Sequence, residues 1–242
     1  RPDAWKIAAA ELLDRVERLK KWGFQRVVVT GGEPTIHPAF WQVVERLRAN
    51  AIAWDINTHG RSFADPGFME RALEAGLERA IVSLHSHVPD ASMVISGMPM
   101  RGHEQTVEGI SNLVGSGVDV TLNLVLCQLN REHVTEWVEY CFDTFAPSDP
   151  SELKLKIVFP WLGGKGGDWE EIALRYEDVL ASTLRAKALG ESLGLTMHFE
   201  SFPNCLLNEP RNRNFSRTGF GETHYLEDLE GRTYFPMRHI ES

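Results

Sequence analysis

The stretch VVVTGGEPTIHP, Val27 to Pro38, runs strand-forming residues straight into two glycines, a carboxylate, a proline and a histidine. A valine run bounded by Gly and Pro predicts a buried strand ending in a turn. Glycines leave the backbone bare, so Gly31 and Gly32 can present N–H and C=O groups to a ligand without a side chain in the way. Carbonyls with a neighbouring carboxylate suit an ammonium group. A phosphate cradle would end in Gly-Lys-Ser/Thr, and this turn does not.

Outward from that turn, strands and helices alternate. AWKIAAAELLDRVERLKKW (Ala4–Trp22) carries apolar residues at helical spacing and stops at Gly23. QRVVVT follows, then a helix over 39–49, the strand IAWDINT (52–58), a helix from Asp65-Pro66 to Ala75, and the strand RAIVSLHS (79–86). A long Gly/Pro/Met-rich connection comes next. Beyond it lie a helix over 103–114, the strand DVTLNLVL (119–126), a helix over 133–145, ELKLKIVF (152–159), a helix over 176–193 and LTMHFES (195–201). The strands read as apolar on both faces, which predicts a parallel sheet covered by helices. Right-handed crossovers would wind it into an α/β fold that is either a doubly wound sheet or a full or partial barrel, and the tail after Pro203 reads as irregular structure or part of a second module. A first strand is expected upstream of Arg1.

Ligands of parallel α/β folds sit at the carboxyl ends of the strands. There the chain places Thr30-Gly31-Gly32-Glu33-Pro34, Asn57-Thr58-His59-Gly60, Ser83-Leu84-His85-Ser86-His87, Asn123 with Gln128 and Asn130, and Pro160-Trp161-Leu162-Gly163-Gly164. Polar or glycine residues at five consecutive strand ends predict a cleft along that rim.

Bulk properties narrow the partners. The 242 residues carry a formal net charge of -9, and the basic cluster EPRNRNFSR (209–217) is short and loop-like, so nucleic acid is the least favoured partner. No apolar run reaches the ~18 residues of a membrane helix, and no signal peptide is visible. The three cysteines, Cys127, Cys141 and Cys205, are scattered, which predicts free thiols and a cytoplasmic location.

VVVTGGEPTIHPAFWQVVERLR, preceded by AAAELLDRVERLKKWGF, closely resembles the radical S-adenosylmethionine (radical SAM) enzymes. DINTHG, RAIVSLHS and SGMPMRGHEQTVEGISNLVGSGVDVTLNLVLCQLN extend the resemblance to about Phe159. The resemblance implies the fold class α/β, a partial (β/α)6-type TIM barrel, with 1–201 as the core and 202–242 as an irregular segment that opens an auxiliary module. It also implies two cofactors, S-adenosyl-L-methionine and a [4Fe–4S] cluster. It implies reductive cleavage to methionine and a 5′-deoxyadenosyl radical, which abstracts hydrogen from a peptide or small-molecule substrate. An electron donor such as flavodoxin or ferredoxin is the implied partner. Position by position, Gly31, Gly32 and Glu33, with Pro34, match the motif that contacts the cofactor's amino group. Asn57 and Thr58 match the next strand end. Ser83 and His85 match a strand end near the ribose and carboxylate, where His85 replaces the usual acidic residue, and Asn123 matches a polar contact to the nucleoside. The family holds its cluster with Cys-x3-Cys-x2-Cys before the first helix. This sequence lacks that spacing, so the cluster ligands are expected upstream of Arg1 and none in this chain.

Two other readings stand beside this one. His85-x-His87, with His37, His59 or His103, could hold a divalent metal for a barrel hydrolase. A non-catalytic barrel that has lost its cluster is the third class. GGKGGD (163–168) lacks the dinucleotide pattern and reads as a loop. Cys205 reads as a free thiol, or as the first of the C-terminal cysteines that ligate auxiliary clusters in some radical SAM enzymes. Met93, Met98 and Met100 read as loop packing.

Overall fold

The computed structural model describes residues 7–160 and 174–207, and the backbone of the short pair 226–227 and 233–234. GGKGGD, EPRNRNFSR and the rim residues Trp161 to Gly164 lie outside the described residues.

Six strands form one sheet in sequence order: β1 (Arg26–Val29), β2 (Ala53–Thr58), β3 (Leu77–Ser83), β4 (Asp119–Val125), β5 (Lys154–Val158) and β6 (Thr196–Glu200). Every adjacent pair is parallel. Helix α1 (Ala9–Lys21) precedes β1. The crossovers are α2 (Phe40–Ala49), α3 (Pro66–Glu74), α4 (Pro89–Ser96) with α5 (Met100–Gly115), α6 (Val134–Phe145) and α7 (Tyr176–Ser192). Each crossover steps one strand in the same direction. A doubly wound sheet reverses its strand order; a sheet that never reverses curls toward a barrel. Among the described residues β1 and β6 do not pair with each other, so the barrel is partial.

The helix-facing sides of the strands carry the core: Trp54, Ile56, Val82, Leu122, Leu124, Leu155 and Ile157 are almost fully enclosed. They pack with Val44, Leu47, Ile110, Leu113, Trp137 and Val179 of the helices. Burying each such side chain contributes about 1.5–3 kcal/mol.

The opposite, concave side corrects the expectation of strands apolar on both faces. Alternation and register put Arg26, Asp55, Asp119, Lys154, Lys156 and Glu200 on it. Arg26 Nη1 donates to Asp55 Oδ1 at 2.7 Å and Nη2 pairs with Glu78. Lys154 Nζ donates to Asp119 Oδ1 at 2.6 Å, and Lys156 Nζ to Glu200 Oε2 at 3.1 Å. Asp55 nevertheless has its pKa raised, because burial outweighs the attraction of Arg26. An open barrel has no second layer to cover this face, so it is lined by ion pairs rather than by packed aliphatic layers.

Two boundaries also differ. The connection after β3, expected to be irregular, contains α4. Pro89 occupies its first turn and Gly97, at φ +62°, ends it, so the Pro and Gly that look like loop punctuation are helix start and stop. Helix α1 begins at Ala9, and Ala8 before it is extended.

Candidate functional site

At the end of β1 the chain makes a 3₁₀ turn, Pro34–Ile36, with Glu33 as its capping residue. Glu33 Oε1 accepts from Thr35 N–H (3.1 Å), Thr35 Oγ1 (2.6 Å) and Thr58 Oγ1 (2.8 Å), while Oε2 accepts from His59 N–H (2.8 Å). Ser62 Oγ donates to Thr35 Oγ1 at 2.7 Å. A carboxylate has about four lone-pair positions. Those of Glu33 are turned inward, and its side chain is 7% exposed. The ends of β1 and β2 are thereby tied together by one carboxylate.

Gly31 and Gly32 are exposed, and a Cβ added at either meets no atom within 4 Å. The bare backbone of the turn therefore faces open space. Pro34 is buried in the first turn of the 3₁₀ segment. Thr58 is buried as well; besides its bond to Glu33, its Oγ1 accepts from Gly60 N–H at 3.1 Å. Asn57, of opposite parity to Thr58, is half-buried on the concave side.

The β2 turn is held from behind by α5. Thr106 Oγ1 donates to His59 O at 2.9 Å and Asn112 Nδ2 to Phe63 O at 3.0 Å. Between them Gly109 lies against Gly60, where a Cβ on Gly109 would stand 2.2 Å from Gly60 O. Gly60 itself is left-handed at φ +81°. The imidazole of His59 is 3.3 Å from Glu33 Oε2, yet Arg61 N–H donates to its Nδ1 at 3.2 Å. A nitrogen that accepts a backbone N–H carries no proton, so this contact is not an ion pair. Burial lowers the His59 pKa in spite of Glu33.

Ser83 and Asn123 are register partners on the concave side of β3 and β4, and the same row continues to Lys156 and His198. Asn123 is 9% exposed, and its Oδ1 is enclosed without a hydrogen-bond partner. An unpaired buried oxygen costs about 1–3 kcal/mol and calls for a donor from a ligand. His85 extends the β3 side of this row, and Val125 N–H donates to its Nδ1 at 3.2 Å. Burial lowers the His85 pKa, so the ring is neutral near pH 7.

The structure thus joins Glu33 to Thr58, and Ser83 to Asn123, and fixes His85 against β4. Much of the fixing is done by Thr35, Ser62 and Thr106, to which the sequence assigns no role, and by the rim residue His59. Asn130, read as part of the rim, is a tie. Its Nδ2 donates to His85 O and Val125 O, both at 2.9 Å, and its Oδ1 accepts Cys127 N–H at 2.7 Å.

The described histidines do not assemble a metal centre. His85 Nδ1 is occupied by a backbone donor, His87 packs toward Tyr140 with ring centroids 5.8 Å apart, and His103 bonds Ser92 Oγ at 3.0 Å. Among the described residues no group of three or more His, Cys, Asp or Glu could hold a metal ion.

This geometry has counterparts. A comparison with family profiles matches the Radical SAM superfamily over residues 1–141. The chain belongs to the Radical SAM superfamily. A probable GTP 3′,8-cyclase of Thermococcus kodakarensis is 31% identical over 136 residues, 55% of this chain and 43% of that protein. A probable GTP 3′,8-cyclase of Saccharolobus solfataricus is 28% identical over 138 residues, 57% and 44% of the two chains. The chain therefore spans less than half the length of these relatives. Among solved structures, Streptococcus suis SuiB bound to S-adenosylmethionine superposes with TM-score 0.63 at 15% identity, over 91% of this chain and 49% of that one. Methanocaldococcus infernus Elp3 superposes with TM-score 0.52 at 16% identity, over 83% and 55%. At these identities the structural likeness establishes the fold, a partial TIM barrel.

The cofactors of this superfamily are S-adenosylmethionine and a [4Fe–4S] cluster. The described residues fit the first: an open glycine backbone and an enclosed acceptor without a donor lie at the same rim. They do not fit the second. Cys141 is enclosed in α6 with its thiol pushed well up by burial, Cys127 follows β4 and Cys205 is exposed beyond β6. No described helix is long and apolar enough to cross a membrane.

Proposed function

We propose that this chain is the core of a radical SAM enzyme acting on a peptide or small molecule, with its S-adenosylmethionine site along the Gly31–Asn123 rim. When bound, the cofactors supply hydrogen abstraction by a radical derived from S-adenosylmethionine. The chain's own residues bind and orient. The bare carbonyls at Gly31 and Gly32 take the ammonium end, and Glu33 holds that turn to β2 while lending negative charge behind it. Asn57 and Ser83 offer side chains on the concave side, and Asn123 Oδ1 takes a hydroxyl donor of the nucleoside. Thr58 and Pro34 act through the turn. His85 lies beside the ribose or carboxylate.

The observation that carries this reading is the Glu33-locked glycine turn, open to space, on the same rim as the unpartnered Asn123 oxygen. An electron donor of flavodoxin or ferredoxin type, a cytoplasmic location and a core ending near residue 201 complete the proposal.

The test uses the full-length protein with its cluster reconstituted anaerobically. Gly31→Val and Gly32→Val have room within the protein, so their unfolding midpoints stay at the wild-type value. Their affinity for S-adenosylmethionine, read by calorimetry, falls at least tenfold. Wild-type affinity in both variants would move the cofactor away from this turn.

A further inference from the structure

His37 is bonded through every polar group it has. Its N–H donates to Pro34 O at 3.0 Å, and its carbonyl accepts Phe40 N–H at 2.9 Å. Ala39 N–H donates to its Nδ1 at 3.1 Å, and its Nε2 lies 3.1 Å from Ile7 O. A backbone N–H only donates and a carbonyl only accepts, so both partners require the same form of the ring, with Nδ1 bare and the proton on Nε2. Neither nitrogen is left for a divalent metal. Ile7 leads through the extended Ala8 into α1, whose start has no side-chain cap. The bond from His37 spans 30 positions and pins the entry of α1 to the turn after β1.

That turn, Pro34–Ile36, has Glu33 at its start and His37 at its end. Glu33 ties the start to β2 through Thr58 and His59, and His37 ties the end to α1. Gly31 and Gly32 have no side chains to anchor them, and a Cβ at either would meet no atom within 4 Å. Their backbone is placed by what flanks it, β1 on one side and this doubly tied turn on the other. With one tie released, the glycine carbonyls would spend only part of their time in the orientation that receives a ligand, and that fraction scales the affinity directly.

We propose that His37 is a positioning residue for S-adenosylmethionine: its Nε2–H clasp on Ile7 holds the entry of α1 and the glycine turn as one body, in the orientation that receives the cofactor. This rests on the rim being the S-adenosylmethionine site.

Two substitutions divide the ring. His37→Asn puts an amide oxygen where Nδ1 was, so it keeps the Ala39 bond and loses the clasp. His37→Gln reaches toward Ile7 with an N–H and gives up the Ala39 bond. Each is made in the full-length, cluster-reconstituted protein, alone and together with Gly32→Val. Affinity for S-adenosylmethionine is read by calorimetry, with unfolding midpoints alongside. His37→Asn is expected to bind about 3- to 10-fold more weakly than the wild type, the worth of one hydrogen bond. It should cause no further loss once Gly32→Val has already spoiled the turn. His37→Gln is expected to bind within about twofold of the wild type. Wild-type affinity in His37→Asn, whatever its midpoint, overturns the proposal and leaves a purely structural bond. So does a loss of the same size in both backgrounds, or an equal loss in His37→Gln. Wild-type affinity in Gly32→Val alone overturns the rim reading beneath it.

Discussion

Glu33 and Thr58 lie 25 positions apart and meet at 2.8 Å, Thr58 Oγ1 donating to Glu33 Oε1. With His59 N–H on the other oxygen, the carboxylate closes the gap between two strand ends. Glu33→Gln keeps the shape but turns an NH₂ toward donors. It leaves at least one buried N–H unpaired, at a cost of about 1–3 kcal/mol. Urea unfolding is expected to show that loss together with weaker S-adenosylmethionine binding. Weaker binding at unchanged stability would instead make the carboxylate a direct ligand contact.

Gly109→Ala should destabilise the protein. In a helix interior this change ordinarily gains up to ~1 kcal/mol. Here the new methyl would stand 2.2 Å from Gly60 O, backbone that is itself pinned by Thr106 and Asn112. Overpacking of this kind costs about 1–3 kcal/mol. A lowered thermal midpoint and a displaced β2 turn are expected; a raised midpoint would show that α5 can withdraw freely.

Stability should fall in mild acid. His85, His59 and His198 all have pKa values lowered from the model-peptide value of 6.5, burial being the first cause in each. Two lysines near His198 add to that effect. A histidine depressed in the folded state binds its proton more readily when unfolded. Its contribution is complete above pH 6.5 and is lost as pH falls toward the folded value. The thermal midpoint is expected to be level well above pH 6.5 and to fall progressively as pH drops below that value, with a shallower drop in His85→Asn. A midpoint that rises on acidification would contradict the assignment of these rings as buried and neutral.

The concave ion pair can be tested by a double-mutant cycle. Lys156 is 9% exposed and Glu200 lies 3.1 Å away with its side chain 35% exposed. Lys156→Met leaves Glu200 facing a depleted wall. Solvent around Glu200 limits the cost to about 1–2 kcal/mol, below that of a fully buried pair. Adding Glu200→Leu should recover part of the loss, since replacing both charges avoids an unpaired one. Strictly additive losses would mean that the two side chains do not interact.

The sheet was legible because helices and strands alternate with clean glycine stops, such as Gly23 and Gly76, both at positive φ. The glycine turn was legible from local sequence alone. The inward orientation of Glu33 was not, because two of its four partner atoms belong to Thr58 and His59, 25 and 26 positions on, and a third, Thr35 Oγ1, is itself held by Ser62. The tautomer of His85 is set by Val125, 40 positions later. The polar lumen was written in the chain and overlooked. Asp119, Thr121 and Asn123 alternate with apolar residues, as do Lys154 and Lys156, and Thr196, His198 and Glu200. A period of two inside a parallel sheet marks one face that meets ligand or water. Helix α4 was hidden because Pro89 and Gly97 signal both loops and helix ends.

The central claim is that this barrel serves S-adenosylmethionine radical chemistry, and product analysis tests it most directly. The full-length protein, carrying a reconstituted [4Fe–4S] cluster, is reduced anaerobically with dithionite in the presence of S-adenosylmethionine, and 5′-deoxyadenosine is quantified. The account predicts 5′-deoxyadenosine and methionine in equal amounts, and a clear reduction of both in Gly32→Val. Bound cofactor without any 5′-deoxyadenosine, in protein shown spectroscopically to hold the reduced cluster, would contradict it and leave a binding scaffold.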